Sequence, residues 1–292
     1  MHLFLQACIL GLLTGAVYAL MASGLTLAFG VMRVINVAQG AMIILGAYLS
    51  YSLFSHFGID PFLGILIITP VMFLVGMGLQ LVFIRPLRVD EREELSLLVT
   101  WAIALGIEGL LSLGYSTTYR STITSYANSS VHVLGFHISV VRLLAFGTSA
   151  VLLGVVYLVL AKTDLGRSIR ATVQNPTSAR LLGIDAERVS AIGFGISVAT
   201  ATAAGAVFGM VFSFNPGSHY DLISRLLTII VLGGLGSLGG AVVAALIMGV
   251  GEAVFAAMIS PTWSSFTFFM ILIAVLVVRP QGLFGVTERG AL

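Results

Sequence analysis

Residues 4–30 read FLQACILGLLTGAVYALMASGLTLAFG, and no charged side chain interrupts them. A spanning helix needs roughly 20 mostly apolar residues, so this stretch can cross a bilayer with length to spare. It lacks a preceding basic segment and runs well past signal-peptide length, so it reads as a true span rather than a cleaved leader. Further apolar runs follow at 37–55, 62–84, 95–114, 138–160, 189–213, 225–258 and 264–278. The chain is 58% hydrophobic and 9% charged over 292 residues. A soluble domain of that size needs a charged surface to stay in solution. The composition therefore predicts an all-α integral membrane protein.

Even hydropathy along residues 1–292 predicts a single transmembrane domain rather than two soluble ones. The net charge of +2 is too small to imply a nucleic-acid partner. Cys8 is the only cysteine, which excludes an intrachain disulfide and any metal site built on thiolates.

The run at 225–258 is longer than one span and is broken by Gly233-Gly234-Leu235-Gly236-Ser237-Leu238-Gly239-Gly240. It predicts two short helices, or a re-entrant segment followed by a span, and hence eight or nine crossings. Arg85, Arg88 and Arg92 form one basic loop. Lys162, Arg167, Arg170, Arg180 and Arg188 form a second, and Arg279 and Arg289 follow the last run. The positive-inside rule puts all three in the cytoplasm. The Ser-, Thr- and Tyr-rich loop 115–137 falls outside, and the first run ends inward beside Arg33. A cytoplasmic C-terminus then requires nine crossings, which favours splitting 225–258.

The loop 162–188 carries its own helix signals. Asn175 is a good N-cap, Pro176 fits the first helical position and Gly183 supplies a left-handed stop. Asp185 can cap the helix that follows. Upstream, Gly166 to Gln174 predict another short helix with Arg167 and Arg170 about a turn apart. Leu181 and Leu182 are apolar knobs in a basic surround that includes Arg180. This length and capping read as a partner-docking element rather than a bare solvated loop.

The glycine run reads in two ways. Non-helical backbone at membrane depth is tolerated where it lines a cavity or is buried in protein. Gly233, Gly234, Gly236 and Gly239 are thus candidates for a translocation path, or for tight helix packing. A phosphate-binding loop is excluded, because that motif needs Gly-Lys-Ser/Thr and the only lysine, Lys162, follows Ala161. Any nucleotide energy must come from another subunit. Asn36, Gln39 and Gly40 interrupt the first two apolar runs. With Asn36 and Gln39 on one helical face, their amides either line the path or hold helices together by hydrogen bonds.

Glu108 and Glu252 are acids inside apolar runs, a costly placement that raises a functional question. No intramembrane Lys or His accompanies them, which is thin for proton coupling. A structural hydrogen bond or snorkelling is the plainer role. His2, His56, His132, His137 and His219 fall in expected loops and ends. Gly11-xxx-Gly15 and Gly205-xxx-Gly209 are small-residue packing signatures. Gly15-Ala16-Val17-Tyr18 echoes Gly205-Ala206-Val207-Phe208, with Ser23 and Ser213 at matching offsets. The predicted helices run in opposite directions, as an inverted repeat would require, but coincidence among small and apolar residues is the plainer reading of so short a match.

Gly166-Arg167-Ser168-Ile169-Arg170-Ala171, followed by Ala179-Arg180-Leu181-Leu182-Gly183-Ile184, resembles the permease subunits of branched-chain amino acid ABC importers. So do Leu232-Gly233-Gly234-Leu235-Gly236-Ser237, Arg279-Pro280-Gln281-Gly282-Leu283-Phe284-Gly285 and Ile35-Asn36-Val37-Ala38-Gln39-Gly40. The resemblance covers nearly the whole chain and is greater to the shorter of the two permease types. The family often carries His at the position of Gln39 and Glu at that of Ala41. The resemblance implies a bacterial inner-membrane heteromer: a second permease, two cytoplasmic ATPases and an extracytoplasmic binding protein. Residues 175–183 would be the coupling helix seated in an ATPase, and ATP and Mg would reside on those partners, with no cofactor in this chain. The alternatives are an ion-coupled secondary transporter, or a permease for urea, amides or carboxylates. An intramembrane enzyme would need converging catalytic groups, and the sequence offers none.

Overall fold

The computed structural model describes residues 2–32, 34–87, 91–124, 126–127, 129–133, 136–263, 266–279 and 282–284. Arg33, Arg88 and Arg289, which contribute to the predicted sidedness, lie outside them, as do Pro280, Gln281 and Gly285.

The apolar runs form helices α1 (His2–Met32), α2 (Gln39–Phe57), α3 (Pro61–Leu79), α4 (Arg92–Tyr115), α5 (Val140–Lys162), α8 (Ala186–Val211), α10 (Leu238–Met258) and α11 (Phe266–Val278). A π-helical turn, Gln80–Ile84, extends α3. The basic loop folds into α6 (Asp164–Gln174) and α7 (Pro176–Leu181), and α9 (His219–Gly233) precedes the glycine run. A hairpin of β1 (Ser130–Val133) and β2 (Phe136–Ser139) leads into α5. Among the described residues, seven helices are long and apolar enough to cross a membrane, and α11 is a shorter apolar helix.

Local chemistry sets several boundaries. Gly58 at φ 66° ends α2 in the left-handed region, which glycine tolerates best. Asp60 caps α3 by accepting from the Phe62 N–H at 2.9 Å, with Pro61 at the first position. The run 225–258 divides as the split reading expected: α9 ends at Gly233 and α10 begins at Leu238.

The core is built on α8, which is almost wholly buried. It lies antiparallel to α1: a Cβ on Gly193 would touch Val31, and one on Gly24 would touch Ser197 and Thr200. Close approach of helices replaces the hydrophobic effect as the adhesive in lipid, because dispersion contacts and small residues are what remain. Accordingly Gly11, Gly15 and Gly249 join α1 to α10, where a Cβ on Gly249 would lie 2.6 Å from the Gly15 Cα. Gly195 and Gly76 do the same between α8 and α3. So α1 pairs with α10 as α8 pairs with α3. The three helices α1–α3 and the three helices α8–α10 run in opposite senses, the arrangement an inverted repeat has.

The connections sort onto two faces. On one face Arg85 pairs with Glu187 at 2.6 Å, and Val31, Ile169 and Val189 form a small apolar cluster. The Leu283 N–H donates to the Leu232 carbonyl there at 2.7 Å. On the opposite face Arg120 and Phe214 exchange two backbone hydrogen bonds of 2.8 Å, and Tyr126 donates to Asp60 at 2.8 Å. The described parts of all three basic segments thus share one face, as the positive-inside argument requires.

Candidate functional site

The basic face carries the expected docking element. Thr163 caps α6 through the Gly166 N–H at 3.2 Å, so the helix begins at Asp164, two residues before the predicted Gly166. One side of α6 packs inward: Ile169 is buried, and Gly166 abuts the Leu160 carbonyl so closely that no Cβ fits. Arg167 pairs with Asp164, and Arg170 donates to the same Leu160 carbonyl at the end of α5. Both guanidiniums therefore brace the element's own fold. Asn175 Oδ1 accepts from the Ser178 N–H at 3.0 Å, as a cap should. Gly183 takes φ 82°, and Asp185 caps α8 through the Glu187 and Arg188 N–H groups at 3.1 Å each. Ala179 is buried at the root of α7, Arg180 is exposed, and Leu181 and Leu182 project at 84% and 80% exposure. Burying each leucine against a partner is worth about 2 kcal/mol.

The seven residues proposed for a path separate. Asn36 precedes α2 instead of sharing a helical face with Gln39, because residues 34–36 are not helical. Both are fully buried, and Asn36 Nδ2 donates to Gln39 Oε1 at 3.2 Å. Gln39 also joins Ser197 of α8, accepting from its hydroxyl at 3.2 Å. The amides thus tie α2 to α8. Gly40 lies against the His219 carbonyl, where a Cβ would come within 2.6 Å. Gly233 packs its backbone on Gly240, and Gly234 and Gly236 take positive φ in a turn on the basic face. Gly236 and Gly239 line a cavity of about 1010 Å³ with Thr26, Gly30, Tyr157 and Phe284. That cavity is largely apolar and lies beside α6.

The opposite face holds a second cavity, of about 690 Å³. Its floor is a polar cluster that sequence reasoning missed. Arg225 Nε donates to Asp221 at 2.7 Å, one helical turn away. Arg225 Nη1 donates to the Tyr18 hydroxyl at 3.1 Å and pairs with Glu252. Tyr18 donates to the other Glu252 oxygen at 2.8 Å. The Arg225 guanidinium lies 4.9 Å from the centre of the Phe268 ring. Four elements (α1, α9, α10 and α11) thus meet at one guanidinium. The apolar wall is the stacked pair Phe208 and Phe212, with ring centres 5.0 Å apart, and Leu222. Tyr18 and Phe208, the equivalent residues of the internal echo, both line this cavity.

Glu108 is likewise partnered. His219 Nε2 lies 3.1 Å and the Tyr220 hydroxyl 3.0 Å from Glu108 Oε2. His219 is buried at the start of α9, a helix end as the sequence reading has it, and it partners Glu108, which was read without a histidine beside it. The usable signal was the Asp221/Arg225 spacing of four ahead of an apolar run, which puts both on one helical face.

Helices of membrane-spanning length around two cavities on opposite faces define a membrane permease. Residues 8–276 match the family model described as Branched-chain amino acid transport system / permease component, and the chain belongs to that family. The permease protein LivH of Salmonella typhimurium is 31% identical over 98% of this chain and 96% of its own length. BraD of Pseudomonas aeruginosa is 29% identical, covering 98% and 97%. Both are described as high-affinity branched-chain amino acid transport system permease proteins. The fold is similar to a chain in the structure of PsaBC from Streptococcus pneumoniae in complex with Fab, with TM-score 0.50 and 10% identity over 95% of this chain and 92% of that one. The protein is a multi-pass membrane permease.

Proposed function

We propose that this chain is one membrane subunit of an ATP-driven importer of branched-chain or related hydrophobic amino acids in the inner membrane. It pairs with a second permease to enclose the path. Two ABC ATPases dock on the basic, cytoplasmic face, and an extracytoplasmic binding protein delivers solute to the opposite one. ATP and its Mg bind those ATPases, because this chain has one lysine and no phosphate loop. ATPase closure pushes on α7 and rocks the bundle between its two openings.

The observation that carries this reading is the capped α7, whose leucines project with no cover of their own. The test is Leu181→Asp or Arg180→Ala in the assembled transporter, with ATPase stimulation by loaded binding protein as the readout. Both side chains are exposed, so the fold should survive while stimulation is lost. Undiminished stimulation in both variants would reject α7 as the coupling element.

A further inference from the structure

We propose that the 690 Å³ cavity is a station for a zwitterionic α-amino acid with an apolar side chain, held by Arg225, Glu252 and Asp221. The assignment rests on the amino-acid reading above and adds the place and the selection rule.

Arg225 is bonded to Asp221 on its own helix and to Glu252 across the bundle. Arg225 and Glu252 are both largely withdrawn from solvent, with side-chain exposures of 13% and 15%. A charge in such a place is tolerated only while paired, and leaving it unpaired costs several kcal/mol. A lone anion that took Arg225 would strand Glu252. A lone cation that took Glu252 would draw away the Arg225 partner that is itself withdrawn from solvent. A zwitterion does neither. Its carboxylate replaces Glu252 and Asp221 on the guanidinium, while its ammonium takes the carboxylates that Arg225 released. The exchange leaves every charge in the cluster paired, so the ligand meets no unpaired-charge penalty. Asp221, at 59% exposure, is the part of the cluster that incoming solute meets from the open side. The Phe208–Phe212 stack and Leu222 then supply the surface against which an aliphatic side chain is buried.

The cavity can be read directly, without passing through the binding protein. Ser213 lines it and is exposed, and Cys8 is the only native cysteine. The assembled transporter carrying Cys8→Ser and Ser213→Cys is labelled with a small methanethiosulfonate in proteoliposomes. L-leucine, isoamylamine or 4-methylpentanoate is added as competitor. Leucine at ten times its dissociation constant should slow labelling about tenfold, since the free fraction falls by that factor. The amine and the acid, each missing one charge, should not slow it at the same concentration. Adding Asp221→Asn or Glu252→Gln should abolish protection by leucine. A carrier that transports leucine yet shows no protection, or equal protection by all three compounds, overturns the station. So does protection that persists in both carboxylate variants. A carrier that is protected by and transports a different zwitterion overturns the substrate proposed above and leaves the station standing.

Discussion

At the scale of residues, the account turns on groups whose value lies in their partners. Glu252 is the clearest case. Removing one member of a withdrawn ion pair strands the other, at a cost of about 3–5 kcal/mol. Glu252→Ala should therefore lower the detergent melting temperature, while Glu252→Gln, which can still accept from Arg225 and Tyr18, should lower it less. A melting temperature for Glu252→Ala equal to that of the unmutated chain would show that the pair contributes no cohesion. Tyr126 gives a prediction at the opposite face. Burial first, and then its hydrogen bond to Asp60, push its phenol up to about 12 from the usual 10. The raised value means that the folded protein favours the neutral phenol. That contribution is whole below pH 10 and is lost as pH rises through 12. Titration of phenolate absorbance in the unmutated chain and in Tyr126→Phe should differ by one step near pH 12, present in the first and missing from the second. The pairs that matter most here were not legible in the sequence. Arg225 and Glu252 are 27 positions apart and Arg225 and Tyr18 are 207 apart, distances over which no periodicity speaks. Read singly, the two acids looked unpartnered.

At the scale of elements, the legible features were those written locally. Asn175, Gly183 and Asp185 mark their helix ends by their own side chains or lack of one, and the structure uses all three. The division of 225–258 was legible for the same reason, since glycine at that density breaks a helix. Its depth was not legible. The break sits in a turn on the basic face, because Gly233 and Gly240 pack together and Gly236 faces Gly30 at the end of α1. Asn36 was misplaced because its spacing from Gln39 suits a helix, yet the chain re-enters there without one. The small-residue signatures carried real packing. Gly249→Leu should drive α1 from α10, since Gly11 and Gly15 leave no room for a side chain, and overpacking of this kind costs about 1–3 kcal/mol or more. Expression and melting temperature measure the effect, and a melting temperature equal to that of the unmutated chain would deny the close approach.

At the scale of the whole molecule, the inverted arrangement of α1–α3 and α8–α10 gives the bundle two openings of opposite character. The 690 Å³ cavity is polar at its floor, and the 1010 Å³ cavity beside α6 is mostly apolar. Both lie along α1, which runs from one face to the other and touches α8 and α10 through glycines. Under the proposed function, a push at α6 and α7 would be delivered next to one opening and carried along α1 toward Tyr18 at the other. On that proposal this chain shapes the route and the force comes from outside it. The direct test is leucine uptake into proteoliposomes containing the permease pair, with and without the ATPases, loaded binding protein and ATP. Uptake against a gradient only with the complete set is the result expected here. Concentrative uptake by the permeases alone, driven by an ion gradient, would contradict it.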